Sequence, residues 1–107
     1  MNPVSKIAFF ESVAGKEGEL GDCLLALVEP SRRESGSRRY EILQNADDPR
    51  QWVVVEDWAS SDAFDFHMDT PYVRAFMDRV PLLCGGTPEI RTFIKRSSTD
   101  VRGKEHA

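Results

Sequence analysis

Three observations predict an α+β fold with the element order β-α-β-β-α-β. Four short stretches alternate apolar and polar residues with period two, two longer stretches repeat apolar residues with period 3.6, and glycine, proline or aspartate marks the junctions. That order is the split βαβ arrangement of ferredoxin-like folds, an antiparallel four-stranded sheet with the helices on one face. At 107 residues the chain suits one domain, taken here as residues 1–96. Residues 97–107 are polar apart from Val101 and are expected to form a mobile tail.

The first strand is expected over Lys6–Val13, with Ile7, Phe9, Glu11 and Val13 on one side and Ala8, Phe10 and Ser12 on the other. Gly15 to Gly18 turns the chain into a helix whose apolar face is Leu20, Leu24, Leu27, Val28 and Ser31. Pro30 lacks a backbone donor and should bend or weaken the last turns, and Gly36 suits a left-handed position just past the end. The second strand spans Arg38–Asn45, and Asp47, Asp48 and Pro49 turn it into the third, Trp52–Trp58, as a hairpin.

Ser60 or Ser61 can cap a short helix running to His67. Thr70 and Pro71 then restart the helix as cap and first residue, with Val73, Phe76, Met77 and Val80 on its apolar face and Pro81 near its end. Gly85 and Gly86 reset the chain for a final strand, Thr87–Lys95. Helices on one side leave the other sheet face apolar and uncovered. A homodimer packing two such faces about a two-fold axis is the economical solution.

Composition excludes several function classes. A formal net charge of −4 is unlike the basic face of a nucleic-acid binder. No apolar run is long enough to cross a membrane, and the first twelve residues lack the core and cleavage pattern of a signal peptide, so a cytoplasmic location is expected. Cys23 and Cys84 stand alone, without the spacing of a zinc or redox motif, and read as small apolar fillers. No glycine-rich phosphate loop, flavin or nicotinamide fingerprint, nucleophile-elbow serine or metal-ligand cluster is present, so no metal and no bound cofactor are expected.

The candidate site lies between Trp52 and Met77. His67 titrates near neutrality and can shuttle a proton, although it can equally be a partly buried histidine bonded to backbone. Glu56 shares strand parity with Trp52, Val54 and Trp58, so a carboxylate there can orient His67 or stand as a paired glutamate at the strand end. Trp58 offers a flat wall and an N–H, and Tyr72 can donate a hydrogen bond to a ligand carbonyl or lie on the surface. Tyr40, Phe64, Phe66 and Phe76 read as pocket or core lining. Arg32, Arg33, Arg38 and Arg39, broken by Glu34, form a solvated helix end or an anion site.

Ser31 to Leu43 (SRRESGSRRYEIL) together with Val53 to Phe76 (VVVEDWASSDAFDFHMDTPYVRAF) resembles the antibiotic biosynthesis monooxygenase family. The similar pieces are the Ser-Arg-x-Glu-x-Gly helix end, the tyrosine of the next strand, the Glu-x-Trp strand end and the His-x-x-Thr-Pro junction. The resemblance covers roughly residues 5 to 95. It implies a dimeric α+β barrel with a pocket in each subunit, hosting cofactor-independent oxygenases of quinols and polyketides, haem degraders or an isomerase of a phosphorylated signal. Tyr72 stands where many members carry a second histidine, Ser37 where a cysteine is common, and Phe76 and Met77 near the haem degraders' axial histidine.

The expected function is therefore cofactor-independent monooxygenation of a small quinol or polyphenol. His67 would be the proton shuttle, with Glu56, Trp58, Tyr72, Tyr40, Phe64 and Phe76 around the substrate. One alternative is isomerisation of a small phosphorylated carbonyl compound held by Arg39 and its neighbours. The other is a dimeric metabolite-binding or stress-response module.

Overall fold

A computed structural model describes residues 2–97. The elements run β1 (Val4–Glu11), α1 (Glu17–Leu25), α2 (Val28–Arg32), β2 (Ser37–Gln44), β3 (Gln51–Trp58), α3 (Ser61–Met68), α4 (Pro71–Leu83) and β4 (Glu89–Phe93). All strands pair antiparallel in the order β2-β3-β1-β4, the ferredoxin-like sheet. The expected tail falls almost wholly outside the described residues. No helix among them is long and apolar enough to cross a membrane.

Strand parity decides what faces the helices. Ala8 pairs with Val54 and Lys6 with Glu56, and Tyr40 pairs with Glu56 from the other side. Ala8, Phe10, Tyr40, Val54, Glu56 and Trp58 are thus buried together beneath Leu20, Leu24, Leu27, Phe76 and Val80. Phe10 and Phe76 meet edge to face at 5.6 Å, a geometry that lets the ring edge approach the partner's electron-rich face. On the opposite face Phe9, Leu43 and Phe93 are exposed.

Several elements differ from expectation for identifiable reasons. The first helix breaks at Ala26–Leu27 into α1 and α2. Pro30 has no N–H for the carbonyl of Ala26, four residues back, and its ring crowds that carbonyl, so the interruption comes a turn earlier than the proline itself. Gly36 is not left-handed; Gly15, at φ 87°, is the described glycine that is. A Cβ at Gly36 would lie 2.5 Å from the Ala63 Cβ, so Gly36 lets β2 and α3 approach closely. Gly21 does the same in α1, where a Cβ would lie 2.5 Å from the Trp52 ring.

At the helix junctions, Ser60 Oγ accepts the Ala63 N–H at 3.1 Å and starts α3 as expected. Thr70 occupies the cap position of α4, yet its hydroxyl turns back and donates to the His67 carbonyl at 2.7 Å. That bond ties the end of α3 to the start of α4 and fixes the backbone of His67. β4 is five residues long, shorter than predicted at both ends, and its residues are all exposed.

Candidate functional site

His67 sits in the last turn of α3 with its ring 2% exposed, a cost that buried polar groups incur unless they find partners. It lies over Trp58 at 4.6 Å between ring centroids, with the Tyr40 ring at 5.5 Å and the Phe64 ring at 6.2 Å. Aromatic walls on three sides leave the two ring nitrogens as its polar outlets.

The nitrogens have different fates. Nδ1 is 2.8 Å from Glu34 Oε2, which also accepts the Tyr72 hydroxyl. Nε2 is 3.9 Å from Glu56 Oε1, beyond hydrogen-bonding reach, and Glu56 Oε1 is occupied by the Trp58 indole N–H at 2.8 Å. In the neutral ring a proton on Nδ1 satisfies Glu34, which leaves Nε2 as the acceptor. Of the two readings open for Glu56, the paired glutamate at the strand end is the one observed, and Glu34 makes the bond that orients His67.

Burial shifts these groups toward their neutral forms. Desolvation holds the His67 imidazole below its ordinary value, opposed in part by its bond to and attraction from Glu34. Burial pushes the Glu56 carboxyl up to about 7, against the Trp58 hydrogen bond and the nearby Lys6, while Glu34 pushes the same way as burial. Tyr72 is pushed up to about 12 by desolvation and by its bond to Glu34, and burial beside Glu56 raises Tyr40 as well. Near neutrality the site therefore holds an uncharged imidazole beside a carboxyl poised to exchange a proton.

His67 and Glu56 open on a cavity of about 30 Å³ between the sheet and α1, α3 and α4. Tyr40, Leu24, Leu27, Val73, Phe76 and Met77 are among the other residues that line it. Cavities that admit an aromatic ring are nearer ~150 Å³. The recess beside His67 is therefore smaller than an aromatic ring requires. A larger recess, about 750 Å³, lies along Glu11–Ala14, Arg50–Val53 and Gly85–Thr87. It contains none of the candidate residues, and Arg50 and Arg91 within it are paired with Glu11 and Glu89 at 3.0 and 2.6 Å.

Of the residues expected at the site, His67, Glu56, Trp58, Tyr40, Phe64 and Phe76 converge on this buried cluster, and Tyr72 joins it through Glu34. Phe66 does not; it points to solvent at 68% exposure, one residue around α3 from His67. Arg39 does not either. Adjacent to Tyr40 in β2, it faces the other way and pairs with Glu41 at 2.9 Å. Glu34 is the residue missed, having been read as an interruption of the arginine cluster. Its signal was its place in the Ser-Arg-x-Glu-x-Gly helix end.

A family model described as antibiotic biosynthesis monooxygenase matches residues 3–79. The chain belongs to that family. The matched segment of this antibiotic biosynthesis monooxygenase-family chain contains Glu34, Glu56, Trp58, His67 and Tyr72 and stops short of β4. A solved structure from Mycobacterium tuberculosis superposes with a TM-score of 0.86 at 25% identity, covering 92% of this chain and all of the other. An uncharacterized protein of Synechocystis sp. is 30% identical over 62% of this chain and 45% of its own length. YcnE of Bacillus subtilis, provisionally named a monooxygenase, is 29% identical over 49% of this chain and 55% of its own. The chain thus spans about half the length of the curated relatives it matches.

Proposed function

We propose that this antibiotic biosynthesis monooxygenase-family chain is a monooxygenase of a small, electron-rich hydroxyaromatic compound such as a hydroquinone, with His67 as the base and without a bound cofactor. The observation that carries the reading is the division of labour on the imidazole: Nδ1 bonded to Glu34, Nε2 free at the cavity beside Glu56. An imidazole held neutral by burial can accept a phenolic proton at Nε2 while Glu34 stabilises the imidazolium that results.

The chemistry balances without another reductant. His67 takes one phenolic proton, and the phenolate gives two electrons to dioxygen as a C–O bond forms at a neighbouring ring carbon. The peroxide takes the proton back from the imidazolium. Loss of the ring-carbon proton with breakage of the O–O bond then leaves a carbonyl and releases water. One hydroquinone and one dioxygen give one hydroxyquinone and one water. Glu56, neutral below about 7, can deliver a proton to the departing oxygen.

Dioxygen consumption measured across a hydroquinone panel tests the proposal. Turnover should appear with at least one member, and His67→Ala should lower kcat/KM by ~10²–10⁴, the usual worth of a positioned acid–base group. Absence of turnover with every member, or an active His67→Ala protein, overturns it. The homodimer through the apolar sheet face fits this reading, and sedimentation equilibrium would test it. Arg39, one of the arginines offered for isomerisation, lies on the far face of β2 from His67.

A further inference from the structure

In a chain with 18 Asp and Glu against 14 Lys and Arg, an arginine is expected to find a carboxylate. Arg33, Arg39, Arg50, Arg74, Arg79 and Arg91 each do so, at 2.6 to 3.0 Å. Arg32 and Arg38 belong to the same stretch, residues 32–91, and pair with no carboxylate among the described residues. Both line one open recess of about 310 Å³ beside β2, the edge strand of the sheet, together with Ser37, Arg39, Tyr40 and Glu41.

The recess is prepared for an anion. Arg32 Nε donates to the Tyr40 carbonyl at 3.0 Å, which ties the guanidinium to β2 and leaves its two Nη groups without a partner among the described residues. Arg38 Nη1 has only the Ser35 carbonyl, at 3.4 Å. The planar fork of a guanidinium matches two oxygens of a phosphate, and fixing it beforehand lowers the cost of binding. Glu41, the one carboxylate of the lining, is held by Arg39 through Nε and Nη2 at 3.1 and 2.9 Å. Three guanidinium groups against one carboxylate leave the recess two positive charges in excess. Charge on an edge strand also discourages pairing with another sheet, but that duty does not need a guanidinium fixed to the backbone.

We propose that Arg32, Ser37 and Arg38 form a binding site for a single phosphate group, as carried by a small phosphate monoester. Such a group bears close to two negative charges near neutrality, which matches the excess in the recess. A net charge of −4 and the pairing of the neighbouring arginines disfavour a long polyanion such as nucleic acid, which needs a continuous basic face. The site is independent of the oxygenase reading, because none of His67, Glu34 and Glu56 lines it.

Titration of the wild-type protein with phenyl phosphate at pH 7.5 and constant ionic strength, followed in nitrogen-15 spectra of the arginine side chains, tests the proposal. The Nε–H resonances of Arg32 and Arg38 should move saturably, and those of Arg50 and Arg74, which hold carboxylates, should stay. Inorganic phosphate should move the same two resonances, and acetate at equal concentration should not. Arg38→Gln removes an exposed side chain that holds no carboxylate among the described residues, so the fold should persist and the dissociation constant should rise about tenfold. Arg32→Lys keeps the charge but loses the fork and should also weaken binding; if it does not fold, Arg38→Gln decides. Unsaturable shifts spread over all the arginines, unchanged affinity in Arg38→Gln, or acetate binding as tight as phenyl phosphate overturns the proposal. So does a response to phenyl phosphate without one to inorganic phosphate, which would assign the recess to the ring, or an oligonucleotide that binds more tightly than either.

Discussion

Glu34 and Glu56 approach the His67 ring from opposite edges, and each side chain is 7% exposed, yet only one of them bonds it. Glu34 comes from the turn after α2, bonds Nδ1 and gathers the Tyr72 hydroxyl on the same oxygen. Glu56 comes from β3, is pinned by its neighbour Trp58, and stops 3.9 Å from Nε2. Equal depth therefore does not mean equal role. The carboxylate within reach of a ring nitrogen fixes the ring, and the other is driven toward its neutral form because its burial outweighs the Trp58 hydrogen bond.

The sharpest way to break this asymmetry is to remove the ring between the two carboxylates. His67→Ala should cost ~10²–10⁴ in kcat/KM, measured by dioxygen consumption. Glu34→Ala should come next, because it frees the tautomer and removes the charge that stabilises the imidazolium. A loss of ~10² in kcat is expected, as when a group developing charge loses one preorganised partner. Glu34→Gln, able to accept from Nδ1–H, should recover part of that rate while lowering the His67 pKa further.

Glu56 should read out in pH dependence. Its carboxyl is raised from 4.5 to about 7, so the stability it contributes is fully present below 4.5 and gone once pH passes about 7. The swing is on the order of 3 kcal/mol, and Glu56→Gln should flatten it in denaturant titrations across that range. His67 runs the other way: its pKa is lowered, so its contribution is present above the ordinary 6.5 and lost as pH falls through the folded-state value. In kcat/KM the pair should give a rising limb below 6.5 from His67 and a falling limb near 7 from Glu56, and Glu56→Gln should remove the falling limb alone.

Tyr72→Phe should have the smallest effect. It removes one donor to Glu34 but leaves the bond from Nδ1, so a loss of about 1 kcal/mol in stability and a few-fold change in rate are expected.

Strand parity explains why much of the site was legible in the sequence. Period-two alternation placed Trp52, Val54, Glu56 and Trp58 on one face, and Ser60 and the Thr-Pro pair bracketed the helix that presents His67; the sheet register then sets Tyr40 against Glu56. What lay hidden depends on contacts between distant residues. Glu34 meets His67 across 33 positions through an irregular turn, for which no periodicity exists. Gly36 was misread for a related reason, since its freedom serves a close approach to Ala63 and not a backbone angle. Phe66 follows from helical geometry: the neighbour of a buried residue on a helix points about 100° away. The size of the cavity could not be read from the chain at all, because it is what remains after a dozen side chains have packed.

The central claim is that Glu34 holds the proton on Nδ1 and leaves Nε2 bare. Nitrogen-15 spectra of the His67 ring near pH 7.5 test it directly, with Glu34→Ala as the control. A protonated Nδ1 and an unprotonated Nε2 in the wild-type protein, lost in the variant, is the predicted result. A ring protonated on Nε2, or on both nitrogens at that pH, would contradict it.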